Sequence, residues 1–122
     1  MQNTVHAALG CGTCHADHEK FPHPAGIAKA ACVDCHSEIA GEYARGVHAR
    51  AAREGKPAAD CAICHGSVHQ ALPPRSAAFR RTLPDTCGAC HGAVVAHYKI
   101  SVHGRAVEAG ISAAPLCTDC HG

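Results

Sequence analysis

Large apolar side chains are scarce in this sequence. Tryptophan is absent, Phe and Tyr occur twice each, and Leu, Ile, Val and Phe together supply only 19 of the 122 residues. Chains with less than roughly 20 % of these four types seldom build an ordinary apolar core. The hydrophobic fraction of 47 % overstates the material for a core, because it includes 25 alanines and 10 cysteines. Disulfides, metal ions or a bulky prosthetic group must therefore supply the interior.

Long apolar runs and a strong charge of one sign are missing as well. No run approaches the roughly 20 residues of a spanning helix, so we expect no membrane span, and residues 1–6 do not read as a signal peptide. The net charge of +1, without a basic stripe carrying aromatics, argues against nucleic acid as a partner. The length predicts a single domain, 1–122.

All ten cysteines belong to Cys-x-x-Cys-His motifs, of which there are five. This motif is the covalent attachment signature of c-type haem. Two thiols at this spacing can form thioethers with the two vinyl groups of one porphyrin, and the adjacent imidazole reaches the iron as its proximal ligand. The attachment residues are Cys11, Cys14 and His15; Cys32, Cys35 and His36; Cys61, Cys64 and His65; Cys87, Cys90 and His91; and Cys117, Cys120 and His121.

Other interpretations of the motif explain less. Zinc sites usually combine two Cys-x-x-Cys pairs, or one pair with spaced histidines, and five pairs leave a remainder. Neither a redox dithiol nor a disulfide framework gives a reason for a histidine after every second cysteine. We therefore predict five covalently attached haem c groups, with zinc as the alternative. Five haems would also provide the interior that the side chains lack.

Residues 32–66 and 87–122 form an internal repeat. Nine residues of the first copy recur 55 positions later: Cys32, Cys35, His36, Tyr43, Val47, His48, Arg50, Ala51 and Gly55. After one inserted residue, 61–66 recurs as 117–122. Each copy therefore carries two haem motifs joined by one connecting stretch, and the motif at 11–15 resembles the second motif of a copy.

The connecting stretch of each copy has helical periodicity. Apolar positions at i, i+4 and i+8 are Ile39, Tyr43 and Val47 in the first copy and Val94, Tyr98 and Val102 in the second. This spacing predicts helices near 36–54 and 91–109, ended by Gly55 and Gly110. No alternating strand pattern persists, and the proline-rich stretches predict irregular coil.

Seven histidines remain as candidates for the sixth ligand of each iron. They are His6, His18, His23, His48, His69, His97 and His103. The lone methionine is Met1, so histidine–histidine ligation at every iron is the economical prediction. His48 and His103 occupy the same position in the repeat and are the leading candidates. His69 lies four residues beyond His65, too near to reach the opposite face of the same haem, so we expect it to serve a neighbouring one.

The other candidates differ in their local sequence. His6 lies five residues before Cys11 and is a further candidate. His23 stands between two prolines that would hold it rigidly, and His18 is its competitor for the same role. His97 aligns with Glu42 of the other copy, which favours a solvated side chain.

The chain resembles the periplasmic multihaem c-type cytochromes of respiratory bacteria over essentially its whole length. The segments that carry the resemblance are 6–11, 21–24, 83–91, 98–104 and 114–122. It implies a small, mostly α architecture with much irregular coil, a haem-packed core and an internal two-haem repeat. It also implies distal-ligand roles for His6, His23 and His103, which raises His23 over His18, and agrees with one for His69. Related chains commonly carry a secretion signal and continue beyond the last motif, so we expect residues 1–122 to be a fragment or trimmed domain.

The predicted function is electron transfer along closely packed haems in anaerobic or respiratory electron transport. The alternatives are a multihaem reductase of nitrite, hydroxylamine or tetrathionate with one open iron, or a subunit of a haem filament. Expected partners are redox proteins, among them a membrane quinol-oxidising cytochrome b-type subunit, and an oligomer is compatible with the sequence. Haem is attached to this motif outside the cytoplasmic membrane, so we expect a periplasmic or extracellular location.

Overall fold

The computed structural model describes residues 4–22, 25–26 and 30–121. These ranges contain helices joined by coil and no β-strand, which confirms the predicted mostly α class. None of their helices is long and apolar enough to cross a membrane. In chain order they are α1 (Cys11–Cys14), a 3-10 helix (Cys32–Asp34), α2 (Ser37–Arg45), α3 (Val47–Arg53), α4 (Cys61–His65), α5 (Ala77–Gly88), α6 (Gly92–Ile100), α7 (Val102–Glu108) and α8 (Cys117–Cys120).

The two predicted long helices are each broken in the middle, which corrects the prediction of continuous helices over 36–54 and 91–109. Gly46 separates α2 from α3 with φ −75° and ψ 168°, and Ser101 separates α6 from α7 with φ −73° and ψ 167°. Both residues have extended backbone, so the helix axis changes direction there. The i, i+4, i+8 spacing could not reveal the break, because it continues across it.

The second half of each connecting stretch ends as predicted. Gly55 and Gly110 have φ values of +73° and +82°, which glycine adopts without steric cost. In both copies the amide after the glycine, that of Lys56 or Ile111, donates to a carbonyl five residues back at 3.0 Å. This is the Schellman arrangement, which satisfies the last free carbonyls of a helix.

A tyrosine fastens the connecting stretch to the second motif in each copy. The Tyr43 hydroxyl donates to the Ala59 carbonyl at 2.8 Å, and the Tyr98 hydroxyl donates to the Pro115 carbonyl at the same distance. The two copies therefore share this contact as well as their motifs.

Helix α5 is an element that the sequence analysis did not predict. The Ser76 side chain caps it by accepting from the Phe79 amide at 3.1 Å, and Pro84 lies inside it. Phe79 and Leu83 form the buried core together with Leu116, which brings α5 against α8. A cap followed by apolar residues four apart is a helix signal, but the proline obscured it.

The polypeptide by itself exposes an unusually large surface area to solvent. Its accessible area is 9227 Å², whereas a compact protein of 12.5 kDa exposes about 6200 Å². In the described ranges the buried apolar residues are few: Ala49, Ala71, Phe79, Leu83, Val95, Ala114 and Leu116. The side chains described there therefore form a small core, centred on α5, and most of the large apolar ones are exposed.

We expect Gly104→Ala to lower the stability of the holoprotein. A Cβ at Gly104 would lie 2.7 Å from Lys99 Cα and would also collide with the Tyr98 carbonyl, so α7 would have to move away from α6. Overpacking of this kind costs about 1–3 kcal/mol. The measurement is the midpoint of chemical denaturation, followed by circular dichroism.

The matched control is Gly41→Ala in α2, where a Cβ would meet only a guanidinium nitrogen of Arg45 at 3.8 Å. That change should leave stability equal or raise it by up to about 1 kcal/mol, because alanine favours the helix. Equal losses in the two variants would contradict a close approach at Gly104.

Candidate functional site

Each Cys-x-x-Cys-His motif lies on a short turn of helix. In four of them the amide of the histidine donates to the carbonyl of the first cysteine, at 2.9 Å for His15 and His91 and 3.0 Å for His36 and His121. The motif that ends in His65 forms α4. Residues three apart on a helical turn share a face, so both thiols of a motif can reach one flat group.

The thiols and their surroundings fit a covalently held porphyrin. All ten cysteines are free thiols, and only Cys14, Cys87 and Cys117 are partly buried. Apolar residues next to the motifs are strongly exposed, with Ile39 59 % and Val94 66 % accessible. Exposed apolar side chains around unpaired thiols are what a large apolar ring attached to those thiols would cover.

Two buried imidazole nitrogens also lack a partner in the part of the chain that the structure describes. They are Nδ1 of His6 and Nδ1 of His15. A buried polar atom without a hydrogen bond costs free energy, and each such atom requires an explanation. A haem iron or a propionate oxygen beside these rings would supply the missing partner.

Within the described residues, three candidate distal histidines have their rings near those of proximal ones. The ring centroids are 6.0 Å apart for His6 and His36, 6.1 Å for His69 and His15, and 6.3 Å for His48 and His91. The interplanar angles are 70°, 34° and 42° respectively. Every pair joins residues that are distant in sequence.

This spacing is what two imidazoles on opposite sides of one metal ion require. A metal–imidazole bond of about 2 Å places the two ring centroids roughly 6 Å apart. Both rings then contain the coordination axis, so any interplanar angle is allowed. Direct ring stacking is a different arrangement: Phe79 lies on the His65 ring at 5.2 Å and 12°.

The remaining predicted ligands are not paired by the described residues. His65 packs against Phe79, and His121 and His103 are exposed without a ring contact to another described residue. His23 lies outside the described residues. The assignment of ligands to the irons of the motifs at 61–65 and 117–121 therefore stays a prediction.

His18 and His97 lie elsewhere. The Nδ1 of His18 is 2.9 Å from the His15 carbonyl, and its Nε2 is 3.8 Å from a Glu19 carboxylate oxygen. His97 is exposed near the end of α6. Neither ring lies opposite a proximal histidine among the described residues.

The fourth and fifth motifs lie close together. Burial raises the pKa of the Cys87 thiol, and the nearby Cys117 thiol raises it further. Burial likewise raises the pKa of Cys64, with Asp60 and Cys61 adding to the shift. The thiols that would attach two different haems are thus close enough to influence each other's ionisation.

An ion pair links α5 to α8 beside these two motifs. Arg80 of α5 donates to Asp119 of α8 at 2.9 Å, and the Leu116 amide donates to the same carboxylate at 2.7 Å. These donors hold the pKa of Asp119 below its usual value. Arg80 and Phe79 were not singled out by the sequence analysis. Only the Ser76 cap and the Phe79–Leu83 spacing of α5 could have pointed to them.

The zinc interpretation requires several ligands that converge on one point. Among the described residues, no group of three or more His, Cys, Asp or Glu side chains is arranged to hold a metal ion.

A family model described as cytochrome c7 and related cytochrome c matches residues 19–92. The matched segment contains three of the five motifs, those at 32–36, 61–65 and 87–91. No curated protein matches the chain, and no solved structure matches it.

Proposed function

Because the chain belongs to the cytochrome c7 and related cytochrome c family, we propose that it carries electrons along five covalently attached haem c groups. Covalent haem c and electron transfer follow from the family. The number five is supported by the motifs at 11–15 and 117–121, which lie outside the matched segment. They have the same Cys-x-x-Cys-His residues as the motifs inside it, and the same amide-to-carbonyl bond as those at 32–36 and 87–91.

The chain's own residues attach and orient each group. The two cysteines of a motif form the thioethers, and the helical turn directs the adjacent imidazole to the same ring. When bound, a c-type haem supplies one-electron exchange between ferric and ferrous iron. The polypeptide contributes the axial ligands, the spacing and the degree of exposure, which are the main determinants of reduction potential.

The strongest support for an electron carrier is the common spacing of three imidazole pairs. At 6.0–6.3 Å, the pairs His6–His36, His69–His15 and His48–His91 suit axial ligation of one iron each. An iron with two imidazole ligands keeps no position for a substrate. We propose His23 and His103 as the distal ligands of the remaining irons. Histidine at both axial positions favours low reduction potentials.

Contact between motifs supports transfer from one group to the next. The Cys87 thiol lies near enough to Cys117 for its pKa to be affected, which supports neighbouring positions for the groups attached to them. The pair His48–His91 joins the two copies of the repeat. The pair His69–His15 joins the first motif to the segment that follows the third motif. These cross-links would keep the haems in one connected set.

Location and partners follow from the same chemistry. We propose a periplasmic or extracellular protein, since haem is attached to this motif outside the cytoplasmic membrane. Its partners would be redox proteins, with a membrane quinol-oxidising cytochrome b-type subunit as the donor.

The test is absorption spectroscopy of the concentrated, purified holoprotein, ferric and then dithionite-reduced, with haem measured against protein. We expect five c-type haems per chain, a low-spin ferric spectrum, and no turnover of nitrite, hydroxylamine or tetrathionate with reduced viologen. Three haems per chain would show that only the motifs of the matched segment carry haem, and would overturn the number five. Rapid turnover of one of those substrates would replace the carrier by a reductase. Absence of haem from cells competent in its attachment would overturn the proposal.

A further inference from the structure

His48 and His103 have the same place in the two copies of the repeat. Each is the second residue of a helix, α3 or α7, that begins after an extended residue. The preceding residues, Gly46 and Ser101, agree within 2° in φ and 1° in ψ. The two imidazoles are therefore carried by the same local backbone.

In the first copy, the histidine at this position pairs with a proximal histidine of the other copy. His48 faces His91, which belongs to the other copy, and not His65 of its own copy. Because the backbone before His103 matches that before His48, we expect His103 likewise not to face His121, the equivalent of His65. Among the described residues no imidazole lies opposite His103, and its ring is exposed.

One exposed position near His103 in sequence is apolar where the first copy has a charge. Ile100, 67 % exposed, is equivalent to Arg45, whereas Val102, 78 % exposed, is equivalent to Val47, which is 63 % exposed. The second copy thus has one more exposed apolar side chain, three residues before its histidine. An apolar surface of this kind suits the face of a haem.

We propose that His103 of one molecule is the distal ligand of the iron held by Cys117, Cys120 and His121 of a second copy of this chain. This inference rests on the proposed function. Within the described residues, the chain offers a free imidazole at His103 and an iron-binding histidine without an opposing ring at His121. Two copies related by a two-fold axis satisfy both needs, because each gives one ligand and receives one.

The experiment compares the five-haem holoprotein with its His103→Ala variant, using sedimentation velocity and electron paramagnetic resonance over a range of concentrations. The wild type should sediment as a dimer with all iron low-spin. His103→Ala should sediment as a monomer with one iron in five high-spin. Added imidazole should return that iron to low spin while the protein stays monomeric, which separates ligation from misfolding. His97→Ala, which removes an exposed imidazole on the adjoining helix, should behave as the wild type.

Other results would overturn the inference. A monomeric wild type in which His103→Ala creates high-spin iron would place the ligand on an iron of its own chain. A variant unchanged in mass and spin state would show that His103 is not a ligand. Failure of the proposed function is distinguishable, because it would appear in the haem count of the wild type and not in the dependence on His103.

Discussion

Produced without haem attachment, the chain is expected to show no cooperative thermal unfolding. Its own core consists of Phe79, Leu83 and Leu116, with partly buried neighbours, and its accessible surface exceeds that of a compact protein by about 3000 Å². So little buried apolar area cannot offset the conformational entropy of ordering the chain. The measurement is far-ultraviolet circular dichroism during heating, which follows the loss of helix and shows whether the transition is cooperative.

The control is the same chain matured with haem, which should unfold at a defined midpoint. A graded version is the double change Cys87→Ser and Cys90→Ser, which removes one attachment site beside the core. It should lower the haem count by one and lower the midpoint markedly. A cooperative transition in the haem-free chain, at a similar temperature to the holoprotein, would show that the polypeptide folds by itself.

Replacement of His48 by methionine is expected to raise the reduction potential of one haem by on the order of 0.1–0.2 V. Methionine as an axial ligand stabilises ferrous iron relative to imidazole, and axial ligands tune haem potentials over roughly 0.8 V. His48 lies 6.3 Å from the ring of His91, so the iron of that motif is the one affected. Potentiometric titration followed by absorption spectroscopy should resolve one component shifted upward and the others nearly unchanged.

The matched control is His97→Met, an exposed histidine with no proximal ring opposite it among the described residues. It should leave every potential within the error of the titration. A shift of equal size in both variants, or no shift in His48→Met, would contradict the assignment of His48 to the iron of His91. His48→Ala extends the test, since it should produce one high-spin iron that external imidazole converts to low spin.

Local chemistry is what made the attachment residues predictable. The thiols and the histidine of a motif lie within five residues, and one helical turn is enough to bring them to one face. Gly55 and Gly110 were predictable for the same reason, because helix ends depend on one or two residues with unusual backbone angles. Periodicity predicted helices in the connecting stretches, and the mostly α class was what the family resemblance implied.

Helix α5 and the breaks at Gly46 and Ser101 were not predicted. Pro84 lies inside α5, where a proline ordinarily argues against a helix, and burial of Phe79 and Leu83 against Leu116 outweighs that cost. The apolar spacing of the connecting stretches runs through both breaks, so periodicity alone cannot locate them.

The amino-acid sequence by itself determined that ten thiols and five histidines form five attachment motifs, and which other histidines were free to serve as ligands. Only the tertiary structure decided which of those rings face one another. His6 and His36 are 30 residues apart, His48 and His91 are 43, and His15 and His69 are 54. Nothing in such separations favours one pairing over another. The choice depends on how the helices and coil pack in three dimensions, because an axial pair forms only where two distant segments bring their imidazoles to opposite sides of one position.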